Sequence, residues 1–274
     1  MSALLLLAVV APLLAEGDAH YARRAEGAAG TLARPAEIDQ ALASYRAALA
    51  ADPSSPSARW RLMRALYFRA SYCGATADQA RPLREEAKRV GEEAVVALEK
   101  SLGDPRGAAR LDALRARPEA VPLYFWAAVS WGEWALARGT FAAARSGAAG
   151  RVRDLGQTVL DLDPAFEQGG GDRILGRLHS ESPHIILVTG WVSREKAVQH
   201  LTHALALGPQ NTVNQLFLAE ALLDHFPGRA EEARRLLQAC AQATPRPEFA
   251  VEDAVFIEQA RARLRALDAG KRDE

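Results

Sequence analysis

Apolar positions recur along this chain at helical spacing, and among them small and large side chains repeat in a fixed order. In "ALASYRAALAADP", Ala41, Tyr45, Ala48 and Pro53 stand 4, 3 and 5 residues apart. Ala197, Leu201, Ala204 and Pro209 repeat that spacing in "AVQHLTHALALGP", and Ala233, Leu237, Cys240 and Pro245 repeat it in "AEEARRLLQACAQATP". A weaker copy runs through Val152, Gly156, Val159 and Pro164. Positions i, i+4 and i+7 share one stripe of a helix, and the proline ends that helix. Small residues on either side of a larger one let a second helix come close.

A second pattern supplies that second helix. Trp60, Met63, Arg64 and Tyr67 in "WRLMRALY" are spaced as W-x-x-L-G-x-x-Y, with arginine at the glycine position. Leu218, Ala219 and Leu222, and Leu175, Gly176 and His179, follow the same spacing. Together the two patterns resemble the helices of a tetratricopeptide repeat. The predicted fold is all-α: a helical solenoid of about five helix pairs with a C-terminal capping helix over "FAVEDAVFIEQARARLRALDAGKRDE", read as one domain over 20–274. Extra residues interrupt it around "RGTFAAARSGAAG" and "SESPHIILVTGW", and "AARLDALRARPEAVP" reads as a short arm.

The stretch "GGGDRILGRLH" tests whether a nucleotide site is present, since Gly171 and Gly176 are spaced like glycines of a phosphate loop. Such a loop follows a strand and ends in Lys and then Ser or Thr. Here Arg177 and Leu178 follow, and "TVLDLDPAFEQ" upstream is a helix end. The glycines are instead expected to form the turn between helix pairs, with Gly171 to His179 at or within a helix start.

Lys plus Arg and Asp plus Glu number 34 each, which leaves no net field to attract nucleic acid. Only the N-terminus departs from an ordinary soluble composition. The uncharged run Ala3–Ala15 in "MSALLLLAVVAPLLAEGDAHY" is too short to span a bilayer, for which roughly 20 residues are needed. Its length suits a secretory leader over 1–19, cut after Ala15 or after Ala19, although no Lys or Arg precedes it. A buried N-terminal helix is the alternative. No cysteine follows the run, so a lipid anchor is not expected. Cys73 and Cys240 have no motif spacing and leave pairing open, and Cys240 fills a small-residue slot of the repeat.

Candidate chemistry is sparse. His179, Glu181 and His184 straddle Pro183, with His200 and His203 on the next helix, but packed or solvated histidines suffice to explain them. No metal or cofactor is predicted, and nothing demands catalysis. "LYFWAAVSWGEWALARGTF" gathers Tyr124, Phe125, Trp126, Trp131, Trp134 and Phe141. The three tryptophans span about 140° of a helix, too wide for one packing stripe. Two readings stay open: core packing between repeats, or rings lining an apolar ligand cavity. In the second, Arg173 and Arg177 at i, i+4, joined by Arg61, are candidates to hold a carboxylate.

"LDLDPAFEQGGGDRILGRLHSESP", then "TGWVSREKAVQHLTHALALGPQNTVNQLFLAEALL", resembles the T-component family of TRAP transporters over roughly residues 40–245. The Gly-Gly segment after Asp-Pro, the arginine-bearing L-G helix, Pro183 and the aromatic "YFWAAVSWGEW" helix carry that resemblance. It implies an exported periplasmic or envelope protein that pairs with a substrate-binding component of an organic-acid transporter, and it admits a homo-oligomer. The leading expectation is therefore a binding or adaptor protein for an amphipathic acid or for a partner that carries one. A scaffold for another envelope assembly is the alternative, and a metal-dependent enzyme the remote one.

Overall fold

The computed structural model describes residues 3–103, 106–139, 146–185 and 189–270. Among these residues there are twelve α-helices and no strand, only an isolated bridge between Ala29 and Leu32. The helices fall into two compact units, Met1–Leu162 and Asp163–Glu274. In each, successive helices stack on their neighbours, as in a helical solenoid.

The first unit contains α1 (Ala3–Ala22), α2 (Pro35–Ala51), α3 (Pro56–Tyr72), α4 (Ala77–Ser101), α5 (Gly107–Arg115), α6 (Ala120–Arg138) and α7 (Ala148–Leu162). Helices α1 to α4 pack in chain order, α6 packs on α4 and α3, and α7 packs on α6. Helix α5 is the expected short arm and lies on α7. The starts of α3 and α4 are written locally. Ser55 accepts the backbone N–H of Ala58 at 3.3 Å ahead of Pro56, and Thr76 forms a reciprocal capping box with Gln79.

The second unit contains α8 (Gly170–Glu181), α9 (Arg194–Leu207), α10 (Thr212–His225), α11 (Ala230–Gln242) and α12 (Ala250–Gly270). Ser193 and Asn211 cap α9 and α10 through their side chains. Helix α12 closes over α11 and α10, as a capping helix should, and buries Val251, Ile257 and Ala260. At its start Asp253 accepts from Thr212 on α10 at 2.7 Å and from three groups of Arg246, which ties the cap to the repeat below. Burial opposes the Asp253 charge, but these donors outweigh it and hold the carboxyl below its ordinary range.

The repeat pattern describes the core. Ala41, Tyr45, Ala48, Ala197, Leu201, Ala204, Ala233, Leu237 and Cys240 are all fully enclosed. Burial pushes the Cys240 thiol up to about 12, so it acts as a small packing group. At Gly176 a methyl group would lie 2.5 Å from Leu201 Cγ, so α8 and α9 touch through the missing side chain. Arg64, at the matching position of α3, lies instead over the Tyr21 ring of α1 and the Trp60 ring.

The turn before α8 is left-handed at three consecutive residues, Glu167 (φ 50°), Gln168 (φ 56°) and Gly169 (φ 86°). Side chains from elsewhere in the unit hold it. Arg173 donates to Glu167 O at 3.1 Å, Asn214 to Gln168 O at 2.9 Å, and Asn211 to Gln168 Oε1 at 2.9 Å. A Cβ on Gly169 would sit 2.7 Å from Ala204 Cα, a backbone atom that cannot rotate away. Gly169→Ala should therefore cost about 2 kcal/mol or more. Its midpoint in thermal denaturation is expected to fall by about 4–8 °C. Gly132→Ala, in the α6 interior with open space around it, should gain about 1 kcal/mol and melt about 2–4 °C higher.

Candidate functional site

In the first unit the aromatic residues of α6 divide among three surroundings. Tyr124 is enclosed, and its hydroxyl donates to Glu99 on α4. Arg110 on α5 donates to the same carboxylate at 2.7 Å and reaches Thr158 on α7 at 3.4 Å. Burial first, then the Glu99 hydrogen bond, raises the Tyr124 phenol far above its ordinary value. This network joins four helices, so Tyr124 is a structural member of the interior. Trp126 lies between Phe125 (5.1 Å between centroids) and Tyr67 of α3 (5.7 Å). Trp131 and Trp134 meet edge to face at 5.5 Å, with Lys88 of α4 at 4.1 Å over Trp131 and Arg138 at 5.3 Å over Trp134. Phe141 lies outside the described residues.

The wide angular spread of these tryptophans is thus used to touch both α3 and α4 from one helix. The cavity beside them, lined by Leu66, Tyr67, Ala87, Ser130 and Glu133, has a volume of ≈ 10 Å³. That is room for about one water, against the roughly 300 Å³ at which small-molecule sites begin.

Arg61 is also in the first unit. Its Nε donates to both oxygens of Asp18 on α1, at 2.9 and 3.0 Å, and its guanidinium lies 4.3 Å from the Trp60 ring centre. Arg61 therefore already holds a carboxylate, one supplied by the chain itself.

The two arginines of α8 are likewise engaged within the second unit. Arg173 donates to Asn214 Oδ1 at 2.9 Å in addition to Glu167 O. Arg177 pairs with Glu220 at 2.7 Å and Glu181 at 3.1 Å, and lies 4.3 Å above the Phe217 ring. Glu220 also receives Arg263 of α12 at 3.2 Å. Arg177, Glu220 and Arg263 follow one another at steps of 43 residues and form an alternating ladder across α8, α10 and α12. Reading the arginines alone misses Glu220 and Arg263. The available signal was the repeat itself, because Glu220 follows Leu218–Ala219 as Arg177 follows Leu175–Gly176.

The histidines surround another buried acid that the sequence patterns do not single out. Asp172, nearly inaccessible, is bonded by His200 at 2.8 Å and by His203. His179 stacks on His200 at 6.0 Å and meets Trp191 edge-on at 5.4 Å. Its Nδ1 accepts the Ser193 N–H at 3.1 Å, so that nitrogen is unprotonated. Among the described residues no group of three or more His, Cys, Asp or Glu side chains is arranged to hold a metal ion.

These features define a class: a tetratricopeptide-type helical-repeat protein whose conspicuous rings and charges brace helix against helix. The particular family follows from comparison. The family model of the TRAP transporter T-component matches residues 63–270, and the chain belongs to that family. No curated protein matches it.

Asp172 gives a test of the bracing role. Burial disfavours its charge, but hydrogen bonds from His200 and His203 outweigh that and hold the carboxyl below its ordinary 3.8. A lowered folded value means the contribution is complete above pH 3.8 and is lost as pH falls through the folded value. Asp172→Asn should cost about 1.5–3 kcal/mol at neutral pH. In urea titrations its deficit against wild type should narrow only below pH 3.8. A constant deficit down to pH 2 would contradict this role.

Proposed function

We propose that this chain is a non-catalytic adaptor of a TRAP transporter, exported to the cell envelope, that works by docking another transporter component. The observation carrying this reading is the family match over residues 63–270. The filled packing around α6 supports docking over the binding of an acid. An amphipathic acid needs a cavity many times the ≈ 10 Å³ found beside Ser130 and Glu133. A partner protein needs only a rigid surface, which a braced stack of helices provides. Export rests on the apolar run at the N-terminus, whose length suits a secretory leader.

Native mass spectrometry of the protein, isolated gently from its own envelope after mild crosslinking, tests both parts. The expected species is the chain joined to a second transporter protein, with no small organic acid retained. A solitary chain carrying an organic acid would overturn docking as its means of action.

A further inference from the structure

The character of α1 changes at Gly17. Just upstream the contacts are apolar and non-directional: Val10 packs on Ala48 and Ala58, and Leu13 and Leu14 are half-buried beside Leu49 and Ala51. On the other side of this segment Val9 is 46% exposed, and Ala11, Pro12 and Ala15 are also exposed. From Gly17 onward the contacts are directional. The Gly17 backbone lies against the Tyr45 ring so closely that a Cβ would sit 2.4 Å from Cε1. The Tyr45 hydroxyl, on an enclosed side chain, donates to Asp18 at 2.7 Å. Asp18 also receives Arg61 and lies 3.6 Å from Arg64.

The next turn continues in this way. His20 and Arg23 bond Glu37 of α2 at 2.8 and 3.0 Å. Tyr21 meets Phe68 of α3 edge-on at 6.3 Å, under the Arg64 guanidinium.

The small-x-small rule for leader removal points to Gly17 and Ala19, with a cut after Ala19. That cut would strip Asp18 from the fold. Tyr45 would lose both the Gly17 backbone against its ring and the Asp18 acceptor of its hydroxyl. Arg61 and Arg64 would lose their shared counter-charge. A cut after Ala15 keeps all of these contacts and removes only the segment whose contacts are apolar. Ala15 meets the need for a small residue before the cut, with aliphatic Leu13 at the third position.

Resting on the export reading above, we propose that the leader is cut after Ala15, and that Gly17 and Asp18 remain as the N-terminal anchor of the mature protein. The host leader peptidase would hydrolyse the Ala15–Glu16 bond, water adding to leave a carboxylate on Ala15 and a free amino group on Glu16.

The full chain, with a C-terminal tag, is produced in an export-competent bacterial host, and the mass of the protein recovered from the envelope is read. A mass corresponding to residues 16–274 is expected, whereas one corresponding to 20–274 overturns the inference while leaving export intact. A full-length chain in the envelope overturns the cut alone, whereas a full-length chain confined to the cytoplasm overturns export itself, and the inference with it. Ala15→Leu is expected to block processing and Ala19→Leu to leave it unchanged, the reverse pattern counting against the assignment. Asp18→Asn should be cut at the same bond but melt about 4–8 °C lower. An unchanged midpoint removes the anchor role.

Discussion

Where Gly176 faces Leu201, an added methyl group would lie 2.5 Å from the leucine Cγ, and this contact sets how near α8 and α9 can lie. The same kind of limit operates at Ala41 and Ala48, at Ala197 and Ala204, and at Ala233 and Cys240, all fully enclosed. Close approach of paired helices brings the larger residue between each pair of small ones, Tyr45, Leu201 or Leu237, into contact with the neighbouring helix. Burial of that residue is then the main stabilising term, since isolated helices of this length are marginal in water. The caps, the left-handed turn and the ion pairs adjust an arrangement that this approach distance has already chosen.

That distance was legible in the sequence because it is local: residues 4 and 7 apart on one helix report their own face. Helix ends were legible for the same reason, through Pro53, Pro164, Pro209 and Pro245. The arm α5 and the break before Pro183 also came through, but of the three glycines expected in the turn only Gly169 lies there, with Gly170 and Gly171 opening α8. What could not be read was the partner of each polar side chain. Arg61 finds Asp18 and Arg177 finds Glu220, each across 43 residues of chain. Extra residues between helices spoil a simple count of where such partners fall. An arginine of this kind therefore reads as available until the acid that neutralises it is seen.

The aromatic helix carries a similar lesson. A spread of three tryptophans around α6 is consistent either with rings projecting into a ligand space or with rings reaching two neighbouring helices. Periodicity alone does not separate these, because it gives direction without saying what stands there. Tyr67 from α3 and Lys88 from α4 occupy the places opposite Trp126 and Trp131. The rings act as broad spacers, wide enough to let one helix rest on two others.

The ladder of Arg177, Glu220 and Arg263 bears on order as well as cohesion. Its signs alternate along α8, α10 and α12, so each helix matches only a neighbour of the opposite sign. Were α12 to stack directly on α8 with α10 left out, two guanidinium groups would face each other, an arrangement that costs free energy. Apolar faces built from the same small and large residues cannot by themselves tell one repeat from the next. A single line of charge at one repeat position adds a distinction between them.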